Sequence, residues 1–218
     1  MQSSNILYEK RGLEKKESDF WKYDRNKMLP EFFPHTADNK KILDLACGSG
    51  EVASFFASLG YKVWGIDISE NSIKNVKRLN IGNFRVKDLD DGKLPYETSF
   101  FDAVFWGDGI EHVFNPEGVL KEVKRVLKPK GVVVVSTPNT SYWLYRWHYL
   151  KTGEIPNTEG HIGPIWRSGH IRFFNHKLLS DLLLEAGFTV IKFKGTKRFW
   201  PNLFAPIILL EAKVKNES

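Results

Sequence analysis

The chain has 218 residues, 42% hydrophobic and 27% charged, the balance of one soluble globular domain with a sizeable core. No run approaches the ~20 apolar residues of a membrane-spanning helix, Met1 opens a polar segment without a signal-peptide core, and a single cysteine excludes an internal disulfide and fits a reducing, cytoplasmic setting. The formal charge of +6 is spread over lysines such as Lys74, Lys77, Lys121 and Lys124 on expected outer helix faces, and no basic-aromatic module speaks for a nucleic-acid partner.

Residues 1–39 form a polar lead-in. Ser18 would cap a helix carrying Phe20, Trp21, Asp24 and Met28, stopped near Pro30 and Pro34. From 40 to 218 the pattern is that of one α/β domain. Ile42, Leu43 and Leu45 make an apolar run short enough for a buried parallel strand. Gly48 and Gly50 follow at its carboxyl end. Val52, Phe55, Phe56 and Leu59 then recur at helical spacing, with Gly60 as the stop. Val63, Trp64 and Ile66 form a second strand, and Asp67 ends it.

Ligands of doubly wound sheets bind at the carboxyl ends of such strands. Glycines there let a ligand approach the backbone, and a carboxylate can accept hydrogen bonds from both hydroxyls of a ribose. A nucleoside-containing ligand is therefore expected. The other reading of Gly48 and Gly50 is a tight turn and nothing more.

A third strand, with Phe84 and Val86, leads to Asp88 and Leu89. A fourth runs through Ser99–Trp106 into Gly107. Asn115 and Pro116 open a helix whose stripe is Val119, Leu120, Val123, Val126 and Leu127. Lys128–Gly131 ends it, and Val132–Val135 is an all-apolar fifth strand. Asn175 caps a later helix carrying Leu178, Leu179, Leu182, Leu183 and Ala186, closed by Gly187. Val190, Ile191 and Phe193 begin a sixth strand, and Ile207–Val214 is the seventh. The link between these two is too short for a crossover helix, so they should pair antiparallel.

The phrase D-L-A-C-G-S-G from Asp44 to Gly50 fits D-x-G-x-G-x-G with Ala46 in the first glycine place. With the S-F-F-D-A-V phrase at Ser99 and L-K-E-V-K-R-V-L-K-P-K-G-V-V-V-V from Leu120, the chain resembles the class I S-adenosylmethionine-dependent methyltransferases. The resemblance implies a Rossmann-like sheet of about seven strands, the last antiparallel, with S-adenosylmethionine as cofactor. It implies that Asp44 lies near the methionine part and that Ala46, Gly48 and Gly50 pass beneath the cofactor. Asp67, with Ile68, would hold the ribose. Asp88, with Leu89, would receive the adenine, although Asp88 also fits a solvated turn carboxylate. Trp106 and Gly107 would border the cofactor at the end of the fourth strand. An oxidoreductase using a nicotinamide cofactor fits these phrases less well. A cofactor-binding regulatory protein without turnover is the other alternative.

Residues 138–174 break the αβ rhythm with Tyr142, Trp143, Tyr145, Trp147, Tyr149 and Trp166 and with His148, His161 and His170. A long insertion after a strand end is usually functional. The phrases S-T-P-N-T-S-Y-W and G-H-I-R-F-F-N resemble ubiquinone-pathway-like small-molecule methyltransferases and the methyltransferase-like protein associated with methionine biosynthesis. The insertion is expected to be a lid for a small-molecule acceptor methylated at oxygen or nitrogen, with Tyr142, Trp143, Arg146, His161 and Arg172 toward substrate. Alternatively, its aromatics close the domain as a satellite core.

A hydroxyl acceptor usually needs a base. Glu111-His112, in G-D-G-I-E-H-V after the fourth strand, resembles the family's E-H-v phrase, which places His112 as base and Glu111 as its orienter, or both as braces of the loop. His170 is a further catalytic candidate, while Arg167 could join Arg146 and Arg172 on an acidic substrate group. No spacing of His, Asp or Glu is diagnostic of a metal site, and none is assigned. Cys47, inside the ligand loop, reads as a small buried side chain rather than a nucleophile.

Overall fold

The computed structural model describes residues 24–33, 39–159, 165 and 168–215. Seven strands form one sheet: β1 (Lys41–Leu45), β2 (Lys62–Asp67), β3 (Gly82–Val86), β4 (Phe101–Gly107), β5 (Leu127–Pro138), β6 (Phe188–Gly195) and β7 (Ile207–Val214). Their spatial order is β3-β2-β1-β4-β5-β7-β6. The pairs β1–β2, β1–β4, β2–β3 and β4–β5 are parallel, and β7 runs antiparallel to both β5 and β6. The order reverses between β1 and β4, so the carboxyl ends of β1, β2 and β4 open on one crevice.

The helices are α1 (Glu51–Ser58), α2 (Glu70–Lys77), α3 (Pro116–Val126), α4 (Trp143–Thr152), α5 (His176–Glu185) and the single turn α6 (Pro201–Phe204). Ser69, Asn115 and Asn175 cap α2, α3 and α5 by accepting from the amides of Ser72, Gly118 and Leu178. Two apolar layers cover the sheet. On one face β1 and β4 meet α3 and α5 through Leu43, Val104, Trp106, Leu120, Val123, Leu179 and Leu183. On the other, Phe33, Phe56, Tyr61 and Phe105 meet edge to face, with ring centroids 4.7–6.3 Å apart.

Three elements differ from the sequence reading. Pro30 lies inside a 3-10 turn, Asn26–Glu31, instead of ending a longer helix; Ser18, Phe20, Trp21 and Pro34 fall outside the described residues. β5 starts at Leu127 rather than Val132, because α3 ends at Val126 and the chain is extended from its cap residue Leu127 onward, across an irregular pairing between Phe101 and Ala103. The segment after β5 contains α4, which no apolar stripe announced.

Candidate active site

β1 ends in Asp44 and Leu45, and the chain then turns through Ala46 (φ 55°), Gly48 (φ 52°) and Gly50 (φ 90°) into α1. The two glycines do different work. A Cβ on Gly48 would meet nothing within 4 Å, so that position borders open space at the crevice. A Cβ on Gly50 would strike Val76 Cγ2 at 2.2 Å, so that glycine lets the loop lie against α2. Asp67 braces the turn from β2. Its Oδ2 accepts from the Gly48 amide at 2.8 Å and its Oδ1 from the Ser69 amide at 2.9 Å. Ile68 follows half-buried.

Asp44 is fully enclosed, and its Oδ2 has no hydrogen-bond partner among the described residues. Burial raises its carboxyl to about 8; the Arg25 charge opposes this and the Asp67 charge adds to it. Cys47 is buried beside them, and burial holds its thiol well above the ordinary range. A protonated buried thiol is a packing group, as the sequence suggested. At the end of β3, Asp88 caps a short turn, Leu89–Asp91, by accepting from the Asp90 amide at 2.9 Å. Leu89 is buried. The indole of Trp106 is enclosed in the core, so that residue offers the crevice only its main chain.

Past β4 the loop is held from β5. Ser136 Oγ donates to Asp108 Oδ1 at 2.8 Å, and Thr137 Oγ1 donates to Glu111 Oε2 at 3.1 Å. Asp108 also takes a charged hydrogen bond from Arg25 at 2.8 Å. A Cβ on Gly107 would lie 2.8 Å from the same guanidinium, so Gly107 clears its path. Arg25 carried no sequence signal, and Ser136 and Thr137 were read only as the start of the S-T-P-N-T-S-Y-W phrase, without a role in holding this loop.

The insertion closes onto this loop. The amides of Ile171 and Arg172 donate to the Glu111 carbonyl at 3.0 and 3.1 Å. His112 Nδ1 donates to the Gly169 carbonyl at 2.9 Å, and the His112 and His170 rings lie 4.7 Å apart. His170 Nδ1 shares a 2.6 Å hydrogen bond with Thr158 Oγ1. His170 Nε2 faces two carboxylates, 3.9 Å from Glu111 Oε1 and 3.9 Å from Glu159 Oε1. Burial drives the Glu111 carboxyl well above the carboxylate range, and nearby Asp108 pushes it further. The three residues named for catalysis thus come together, with Glu159 and Thr158 as additions.

The candidate substrate residues divide. Arg146 lines a cavity of about 590 Å³ with Thr140, Tyr145, Tyr149, Thr158 and Phe173. Tyr142 precedes α4, and its ring meets that of Tyr145 at 5.2 Å. Trp143 is exposed, and α4 has no buried residue, although Tyr145 is half-buried in the cavity wall. Arg172 donates to the Phe114 carbonyl at 2.6 Å. His161, Trp166 and Arg167 lie outside the described residues.

A mixed sheet whose parallel strands reverse order between β1 and β4, an open glycine turn and an acid at the next strand end define an α/β domain that takes a nucleoside ligand at its carboxyl edge. A family model for a methyltransferase domain matches residues 17–192. The chain belongs to this family of S-adenosylmethionine-dependent methyltransferases, which sets the oxidoreductase reading aside.

A probable S-adenosylmethionine-dependent methyltransferase of Mycolicibacterium smegmatis is 27% identical over 174 residues, 80% of this chain and 61% of that protein. The ubiquinone biosynthesis O-methyltransferase of Acinetobacter baylyi is 34% identical over 178 residues, covering 75% of this chain and 73% of that one. A solved S-adenosylmethionine-dependent methyltransferase from Methanosarcina mazei superposes with a TM-score of 0.65 at 25% identity, over 86% of this chain and 98% of that chain. The chain spans 61%, 31% and 42% of the length of three curated relatives it matches. Among the described residues, no helix is long and apolar enough to cross a membrane.

Proposed function

We propose that the chain moves a methyl group from S-adenosylmethionine to the oxygen or nitrogen of a small-molecule acceptor. Asp44, the Ala46–Gly50 turn, Asp67 with Ile68, Asp88 with Leu89, and the main chain at Trp106 and Gly107 hold the cofactor. The open space over Gly48 supports that assignment. The bound cofactor supplies an electrophilic methyl on a sulfonium. The protein aligns the acceptor, excludes water and takes the acceptor's proton.

The observation that carries this reading is Thr158, which lines the cavity and is also hydrogen-bonded to His170, so one residue links the cavity wall to the Glu111–His112–His170 group after β4. His112 keeps its proton on Nδ1 for the Gly169 carbonyl, so in the neutral ring Nε2 is the acceptor nitrogen that a base requires. Tyr145, Tyr149, Leu150, Ile155 and Phe173 give the cavity an apolar wall, and Arg146 adds one cation. That combination suits an acceptor with an apolar or aromatic body and one carboxylate or phosphate. Residues 138–174 act as its lid.

The test is a methyl-acceptor screen with labelled S-adenosylmethionine, comparing anionic phenols and amines of increasing apolar size with neutral analogues. Turnover should favour the anionic, apolar members, and Arg146→Ala should raise their KM while leaving S-adenosylhomocysteine affinity unchanged. A chain that binds the cofactor and methylates none of them would favour a regulatory role without turnover.

A further inference from the structure

Glu111, His112 and His170 each offer one ligand-type atom, the three atoms lying within 4.8 Å of one another. From this cluster we infer a binding site for a first-row divalent cation such as Zn²⁺, built from two imidazoles and one carboxylate. Four observations carry it.

The first is an unanswered acceptor. Glu111 is 1% exposed, and no hydrogen-bond donor among the described residues reaches its Oε1. A buried carboxylate oxygen in that position is costly unless a proton or a cation meets it. The second is orientation. Metal-binding imidazoles are typically fixed through their other nitrogen by an oxygen. Both rings here have that support on Nδ1, His112 from the Gly169 carbonyl and His170 from the Thr158 hydroxyl. A hydroxyl can donate or accept, and a cation on Nε2 selects the His170 form that donates from Nδ1.

The third is charge. Glu159 Oε1 lies 3.9 Å from His170 Nε2, the same distance as Glu111 Oε1, so a second carboxylate stands beside the ring. The fourth is access. Three protein ligands leave coordination positions open, the mark of a reactive rather than a purely structural centre. Thr158, which holds the His170 ring, is itself part of the cavity wall. Two nitrogen ligands favour Zn²⁺, Co²⁺ or Fe²⁺ over Mg²⁺ or Ca²⁺, which prefer all-oxygen shells.

The test needs neither cofactor nor acceptor, so its outcome is separate from that of the proposed function; a cation on His112 Nε2 would replace that nitrogen as base and would instead lower the pKa of an acceptor hydroxyl or water bound to it. The purified full chain is stripped with a chelator and titrated with Co²⁺ and, separately, Zn²⁺. One ion should bind per chain. Co²⁺ should produce visible d–d bands and paramagnetic shifts confined to the His112 and His170 rings, and Mg²⁺ should not displace it. Glu111→Gln and His170→Asn should each abolish the bands while circular dichroism stays native. Thr158→Val, which removes only the oxygen behind His170, should weaken binding about 10–100-fold. No stoichiometric Co²⁺ or Zn²⁺ on the unmodified chain would overturn the inference. So would shifts at other histidines; both readouts come from the unmodified protein and hold even if a variant misfolds.

Discussion

Arg25 Nη1 donates to Asp108 Oδ2 at 2.8 Å, joining two residues 83 positions apart. The same guanidinium lies 5.8 Å from the Phe105 ring centroid. One side chain therefore fastens the segment before β1 to the loop after β4. Arg25→Met keeps the stem and deletes the charge. It should cost about 1–2 kcal/mol, toward the low end for a charged hydrogen bond because Asp108 is partly solvated. Urea unfolding reads this as a lower midpoint at unchanged slope. An unaltered midpoint would mean that the contact contributes nothing to folding.

Gly48 and Gly50 should fail in different ways. Gly50→Val forces a branched side chain onto Val76 at φ 90°, and should destabilise the fold by more than ~2 kcal/mol. Gly48→Val meets open space, so only the strain of φ 52° remains, about 1–2 kcal/mol. This variant should stay folded and lose S-adenosylhomocysteine binding. Thermal melts and calorimetry on both proteins separate the two effects. Normal binding by Gly48→Val would leave that glycine as a turn residue alone.

Asp67→Ala removes a ligand acceptor and also the brace on the amides of Gly48 and Ser69. S-adenosylhomocysteine affinity should fall roughly tenfold or more, at about 1.5–3 kcal/mol per charged hydrogen bond. Asp67→Asn retains one carbonyl acceptor and should fall between Ala and the parent. Equal affinities for all three would remove Asp67 from the cofactor site.

Asp44 predicts a pH dependence. Its folded-state value of about 8 lies above the ordinary ~3.9 of an unfolded aspartate. Between those values the folded chain keeps a proton that the unfolded chain has released. Stability therefore falls as pH rises through this window, at up to ~1.4 kcal/mol per pH unit, and the effect is complete above about 8. Arg25, Asp67 and Cys47 are the charged or titratable groups acting with it. Asp44→Asn should flatten the profile. A ligand ammonium near Asp44 favours the ionised carboxylate, so cofactor binding near pH 7 should release a proton, visible as a buffer-dependent calorimetric enthalpy. Identical enthalpies in buffers of different ionisation heat would contradict this coupling.

The strand–turn–helix–strand unit from Lys41 to Asp67 was legible in sequence because its information is local. Apolar runs, glycines and a terminal acid sit within one βαβ unit. The hairpin of β6 and β7 was legible from loop length. Helix α4 was not, since Trp143, Leu144, Trp147, Tyr149 and Leu150 encircle it and leave no stripe for periodicity to detect. Glu111 and His112 stand out as adjacent residues in a phrase. That they meet His170, Glu159 and Thr158 depends on the path of the insertion, which neighbouring residues do not encode. Trp106 shows what position alone leaves open: a strand end suggested the crevice, and burial shows that its indole fills the core, leaving the main chain to border the crevice. Arg25 went unread because one cation among several in a polar lead-in, with Lys22 and Lys27 close by, looks like any solvated charge.

The last strand in sequence is an inner strand in space. β7 lies between β5 and β6, and β6 touches the sheet only through β7. A nascent chain that has emerged only as far as β6 can assemble β1 to β5 but has nowhere to dock β6, and the flank of β5 stays unpaired. Until Ile207–Val214 leaves the ribosome, that flank is a bare hydrogen-bonding edge beside Val133, Val134 and Val135, the kind of surface that chaperones shield and neighbouring chains invade. A stop codon ahead of Ile207 would thus remove two strands rather than one, and a pause in translation there would prolong the most aggregation-prone moment of synthesis.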